Sequence, residues 1–285
     1  MMYPALAAAL TLAACHAIAQ QPASRPAQDA MSQKAALEKL LAKGGIRVDW
    51  KKRAIYAKGR ITVTRDFIEY IAIGPRGKKH EAMLTLDGLG STLNAALLAL
   101  GLKPGKNVDY KPVVPPPTEK EAMDGAPTTI LIEPEGPEVH LAVSWTDDKG
   151  KEKRYAIEDL LYDLRADAPA RDVKWIYIGG QKRAIYRGEP PVFVADYDQN
   201  YISNYYVKPD NHLITIKHAR ARDDENWWPV TDRLPERGTP CELILSLEPV
   251  VKLLPLPKKD KEKKDKEQRK EPGKELGKDG KSEKR

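Results

Sequence analysis

The chain has 285 residues, a formal net charge of +7 and only 2 Cys. With so few cysteines, and none in a C-x-x-C spacing, it is not a disulfide-stapled scaffold, and nothing points to a haem, iron–sulfur or thioredoxin-type centre. The charge is concentrated at one end: residues 258–285 hold 13 Lys and Arg against 8 Asp and Glu, which leaves +2 for everything before them, so the basic balance is no argument for nucleic-acid binding by a folded part.

Residues 3–14, YPALAAALTLAA, are a twelve-residue apolar run. A bilayer-spanning helix needs about 20 such residues, whereas a signal-peptide core is this short. Leu12-Ala13-Ala14-Cys15 resembles a bacterial lipobox, and Ala17-Ile18-Ala19 is an A-x-A site with cleavage before Gln20. The sequence therefore predicts a signal peptide over residues 1–19. Export follows in one of two forms, a lipoprotein anchored through Cys15 or a released protein. Met1-Met2-Tyr3 lacks the basic residue usual in such a leader. Membrane contact is expected only through the lipid anchor. Cys241 would be the sole thiol of the mature chain, and in GTPCELILSL it reads as a small core residue on a strand.

Residues 20–33 read as a polar, Pro-containing linker, and residues 34–255 as one globular domain. Ser32 is a candidate cap for a helix reaching Lys43, closed by Gly44-Gly45. Alternation then predicts strands at residues 46–50, 54–57 and 60–64. Residues 67–73 and 80–86 are expected to form an antiparallel hairpin around the loop from Gly74 to Lys79. A helix capped by Ser91 or Thr92 follows, with Leu93, Leu97 and Leu100 on one side and Gly101 at its end. Residues 109–127 are a Pro-rich surface excursion. Further strands are expected at 128–133, 139–145, 154–157, 173–178, 192–195, 213–216 and 242–247, with a helix over 158–165. Strands with a few covering helices give an α+β class: one mainly antiparallel or mixed sheet in a single domain. Residues 256–285 have too few apolar side chains to form a core and read as a disordered charged tail. Its expected partners are cell-envelope components or an anionic wall polymer, with no nucleic acid. The pentapeptide KRAIY occurs at 52–56 and 182–186, but the flanks do not align and no duplication is inferred.

The stretch GKKHEAML at residues 77–84 raises the functional question. A zincin would need a second His four residues after His80, and position 84 is Leu. His212 and His218, six residues apart on an extended segment, are about 20 Å apart. His80 is thus the one candidate metal ligand, without a ligand set. Glu69 interrupts an apolar strand and needs a partner if buried. In the hairpin register it lies opposite Leu84 and away from His80. Glu69, His80 and Glu81 are the catalytic candidates, either as an acid–base cluster or as a structural network that fixes the loop.

Several pieces of the chain, in order, carry a resemblance. These are Ile68-Glu69-Tyr70, Gly77-Lys78-Lys79-His80-Glu81-Ala82, the helix exit Gly101-Leu102-Lys103-Pro104-Gly105, Trp175 to Gly180, Ala195-Asp196-Tyr197, and Gly238-Thr239-Pro240-Cys241. Together they resemble the YdjY-like domain of bacterial exported proteins, over most of residues 46–250. Members of that family often carry Ser after His-Glu, where this chain has Ala82, so the resemblance supplies no nucleophile here. It implies an envelope location and no settled activity or cofactor. Two weaker candidates are Trp227-Trp228, able to stack on a sugar ring, and Asp196 to Asn200, which lacks the spacing of a calcium loop and reads as a turn. The expected function is an envelope binding or assembly module. The alternative is an envelope enzyme centred on His80-Glu81, with a metal as one option.

Overall fold

The computed structural model describes residues 25–209 and 211–257. The expected signal peptide, Cys15 and the charged tail from residue 258 lie outside them.

Ten strands form the main sheet: β1 (Ile46–Asp49), β2 (Ala54–Ile61), β3 (Tyr70–Ile73), β4 (Ala82–Leu86), β5 (Glu138–Thr146), β6 (Glu152–Ala156), β7 (Lys174–Tyr177), β8 (Asn200–Ser203), β9 (Ile214–Lys217) and β10 (Pro240–Ser246). Eight of them run in the order β2–β10–β5–β7–β9–β8–β3–β4, and β4 bonds back to β2, closing a barrel. β1 extends from β2 and β6 from β5 outside the ring. The five helices among the described residues are α1 (Arg25–Lys43), α2 (Gly90–Ala99), α3 (Glu119–Met123), α4 (Ile157–Leu160) and α5 (Val194–Asp198).

This corrects the α+β expectation. The sheet hides its apolar face by closing on itself, so it needs no layer of covering helices. Alternation along the strands shows the division. Cys241, Leu243 and Leu245 of β10 join Ile55, Ala57 and Ile61 of β2 and Leu141, Val143 and Trp145 of β5 in the main core. Trp175, Tyr177, Ile202, Ile214 and Ile216 belong to the same cluster. Each large side chain buried this way contributes about 2–3 kcal/mol. The opposite faces carry Lys58, Arg60 and Glu242 to solvent, the reverse of a membrane-spanning barrel, whose apolar band faces outwards. No helix among the described residues is long and apolar enough to cross a membrane.

The closing seam depends on Gly59, which stands opposite Leu86 in the β2–β4 pair. A Cβ at Gly59 would lie 2.5 Å from the Thr85 carbonyl oxygen. Glycine in a strand interior here marks a close backbone approach.

Five local expectations also change. Residues 67–73 and 80–86 do not make a hairpin: β3 and β4 are parallel, with Tyr70 opposite Ala82 and Ala72 opposite Leu84. The helix expected over 158–165 stops at Leu160 and gives way to a strand, Leu161–Asp163, that pairs with Trp227–Pro229. Neither Ser91 nor Thr92 caps α2; the Ser91 N–H is instead bonded at 2.8 Å by the Asp196 carboxylate of α5. The helix after the leader begins at Arg25, within the segment read as linker. The Pro-rich excursion is ordered as a ribbon, Asp109–Pro112 against Thr129–Ile132, with α3 between them capped by Thr118 and Glu121.

A segment after β10 turns back over the outer face, where Val250 and Val251 cover Ala54, Tyr56, Ala142 and Ile244. It is pinned by Asp159, which is fully buried. The Asp159 carboxylate accepts from Arg171 at 2.9 Å and from the Leu254 N–H at 3.0 Å.

Candidate functional site: a carboxyl pair at the start of two parallel strands

The parallel register has a consequence that an antiparallel one lacks. With Tyr70 opposite Ala82, the preceding residues Glu69 and Glu81 also become neighbours. The Glu69 N–H donates to the Glu81 carbonyl oxygen at 2.8 Å. The Glu69 carbonyl in turn accepts from the Asn204 N–H at 3.0 Å, so the end of β8 fixes the same residue from the other side. A turn closed by Gly77 N–H to Gly74 O, then a 3-10 turn over Lys79–Glu81, returns the chain from β3 to β4.

Lys78 stands between the two carboxyl groups, with Nζ 2.8 Å from Glu81 Oε2 and 3.5 Å from Glu69 Oε2. Burial holds the Glu69 carboxyl above the ordinary glutamate value, and the nearby Glu81 charge adds to the rise against the pull of Lys78. Burial pushes the Glu81 carboxyl the same way, but the hydrogen bond from Lys78, the neighbouring Glu69 carboxyl and the charges of Lys78 and His80 outweigh it, leaving it below the ordinary value. The two carboxyl groups are therefore shifted in opposite directions, Glu69 towards its protonated form and Glu81 towards its charged one. Its hydrogen bond to Glu81 holds the Lys78 ammonium above its ordinary value.

Two tyrosines wall the cluster, Tyr70 and Tyr205, packed edge to face at 6.4 Å. Lys78 Nζ is 5.9 Å from the Tyr70 ring centre. Burial raises both phenols, so both remain protonated hydrogen-bond donors.

His80 is placed differently from its neighbours. Its side chain is 77% exposed, and its Nε2 reaches only Glu81 Oε1, at 3.1 Å. The hairpin expectation put Glu69 opposite Leu84; the structure joins Glu69 to Glu81 through Lys78 and leaves His80 at the margin. Lys78 and Tyr205 were missed as site residues. The only signal for Lys78 was its place in Gly-Lys-Lys-His-Glu; Tyr205 follows a strand that the alternation did not reveal.

The other sequence candidates do not converge here. Trp227 is fully buried and meets His218 edge to face at 5.2 Å, while Trp228 packs on Phe67. They do not form a shared stacking platform. His140 is on the outer face of β5 opposite Ser246, and His212 is buried beside Asn211. Among the described residues no group of three or more His, Cys, Asp and Glu is placed to hold a metal ion. Asp196 and Asp198 are occupied by the Ser91 N–H and the Asn211 side chain. Burial pushes the Cys241 thiol up to about 12, so it is an inert core group. The two KRAIY copies differ too: Tyr56 is buried in β2 and Tyr186 is exposed.

The fold and site define a class: a closed, mixed β-barrel with a filled interior and a lysine-bridged carboxyl pair on its outside. The YdjY domain family model matches residues 46–189, half of the chain, and the protein belongs to that family. No curated protein and no solved structure matches it. The matched region ends before β8, β9 and β10, yet those strands close the barrel. The folded unit accordingly extends to Ser246.

Proposed function

We propose that the protein is an exported, lipid-anchored domain of the cell envelope that binds a ligand or partner on its outer surface. The leader features in residues 1–19 support export, and Cys15 supports the anchor. The observation that carries the binding reading is the filled barrel: Trp145, Trp175 and Tyr177 occupy its core. Without an open lumen, recognition falls to groups held on the outside. Metabolic labelling with palmitate tests the anchor; label on the wild type and none on Cys15→Ala is the expected result. A wild type left unlabelled would leave the released form. The charged tail adds a second contact, through its lysines and arginines, to anionic wall polymer or lipid headgroups.

One observation favours a second reading, an envelope enzyme. Two carboxyl groups held on one lysine, with proton affinities driven apart, can serve as acid and base. In that reading Glu81 accepts a proton, Glu69 supplies one, and Lys78 holds both in place. An activity of the wild type that is lost in Glu81→Gln, with the melting temperature nearly kept, would establish it in place of the binding module.

A further inference from the structure

The loop that carries Lys78 to the carboxyl pair turns its neighbour, Lys79, to a different surface. There a cavity of about 370 Å³ is lined by Arg60, Thr62, Thr85, Asp87 and Arg237, together with Lys79. Its walls come from the end of β2, the end of β4, the Gly74-to-Glu81 loop and the turn before β10. The walls are tied together: the Gly238 N–H donates to the Ile61 carbonyl at 2.8 Å, and the Ile61 N–H donates to Thr239 at 3.0 Å. In the lining, the Thr62 and Thr85 hydroxyls are bonded at 2.8 Å.

Charge distinguishes this cavity. Among the described residues Arg60, Lys79 and Arg237 make no ion pair, although all three are exposed around one cavity. Asp87 is the one carboxylate in the lining, so the cations outnumber it three to one. Three like charges around a concave, partly apolar surface repel one another, and an anion relieves that repulsion. Guanidinium groups match the oxygens of a phosphate or carboxylate in paired hydrogen bonds. The volume falls within the range of small-molecule sites, about 300–1,000 Å³.

We infer that this cavity is a binding site for an anionic sugar unit, with Arg60, Arg237 and Lys79 on its phosphate or carboxylate group and the Thr62 and Thr85 hydroxyls toward its neutral part. The inference rests on the binding-module reading and gives it a ligand class, but its test is independent of lipidation. The purified full chain, labelled with nitrogen-15, is titrated with glycerol 3-phosphate and, separately, with glucuronate while the amides of Thr62, Thr85 and Gly238 are followed. Saturable shifts at those amides are expected, weakened at least about tenfold in Arg60→Ala/Arg237→Ala and reduced by added salt. Both arginines are exposed, so the variant should keep the wild-type melting temperature; Lys79→Ala gives a milder second variant. Tighter binding of the first probe assigns a phosphate ligand, and tighter binding of the second a carboxylate. Shifts confined to residues 258–285, or an affinity unchanged in both variants, would overturn the site.

Discussion

Glu69 and Glu81 are twelve positions apart in the chain and adjacent in space, because β3 and β4 run parallel in the register that pairs Tyr70 with Ala82. The Glu69 N–H on the Glu81 carbonyl, at 2.8 Å, continues that ladder by one step beyond the named strands. Backbone pairing thus forces two carboxyl groups together, and Lys78 is what makes their proximity tolerable.

Opposite shifts in the pair predict opposite pH effects. A carboxyl held above its ordinary value stabilises the fold fully below that value and ceases to do so as pH rises through the raised one; Glu69 is such a group. Glu81 is the reverse: its contribution is present above the ordinary value and lost as pH falls through the lowered one. Melting temperatures measured between about pH 3 and pH 8 should therefore show Glu69→Gln flattening the decline on the alkaline side. Glu81→Gln should cost about 1 kcal/mol at neutral pH, a few degrees, and make the decline on the acid side shallower. Profiles parallel to the wild type in both variants would mean that the two carboxyl groups are not shifted in opposite directions.

His80 should matter little for stability. Its ring is 77% exposed and touches only Glu81, so His80→Ala is expected to cost about 0.5 kcal/mol or less. Thermal unfolding checks this directly. A drop of many degrees would show that the imidazole locks the loop after all.

The α2 N-terminus borrows its cap from another helix. Asp196 accepts the Ser91 N–H at 2.8 Å, so Asp196→Ala should cost about 1 kcal/mol although it lies 105 residues away. Asp196→Asn keeps an acceptor and should lose only a few tenths. Urea unfolding of the two variants separates loss of the cap from a general effect of removing the side chain. Ser91→Ala should be nearly silent, because the Ser91 side chain does not cap the helix.

Gly59 tests the closure of the barrel. An added methyl would meet the Thr85 carbonyl oxygen at 2.5 Å, a backbone atom that cannot rotate away. Gly59→Ala is expected to cost about 1–3 kcal/mol by parting β2 from β4. Hydrogen exchange at Ile61 and Leu86 should rise above that of β10 if the seam opens first; unchanged exchange there would place the damage elsewhere.

What the sequence revealed and what it hid follow one physical division. Strands with clean alternation, such as β5 and β10, could be read because one face is apolar and the other polar. β8, Asn200–Ser203, could not, since all four residues are buried and Asn200 and Ser203 are polar. Strand direction was invisible too. The Gly- and Pro-containing loop after Ile73 suited a hairpin, and nothing local distinguishes it from a short return between parallel strands. Without that direction Glu81 could not be matched to Glu69, and Tyr205, placed just after β8, could not be connected to either. The barrel was hidden for a related reason: closure is decided by the β2–β4 contact, where the only sequence mark is a single glycine.

The last prediction concerns where the folded unit ends. The family match stops at residue 189, but β8, β9 and β10 lie beyond it and make up three of the eight barrel strands. β10 alone pairs with β2 along seven residues and with β5 along five. Removing those strands would leave β2, β5, β7 and β3 with unpaired edges and open the core around Trp145, Trp175 and Tyr177 to water. A chain ending at residue 189 should therefore give no cooperative thermal transition by circular dichroism and should bind a hydrophobic dye, whereas one ending at residue 257 should melt sharply. A sharp transition in the shorter chain would mean that residues 46–189 fold as a unit of their own, with the later strands added to its edge.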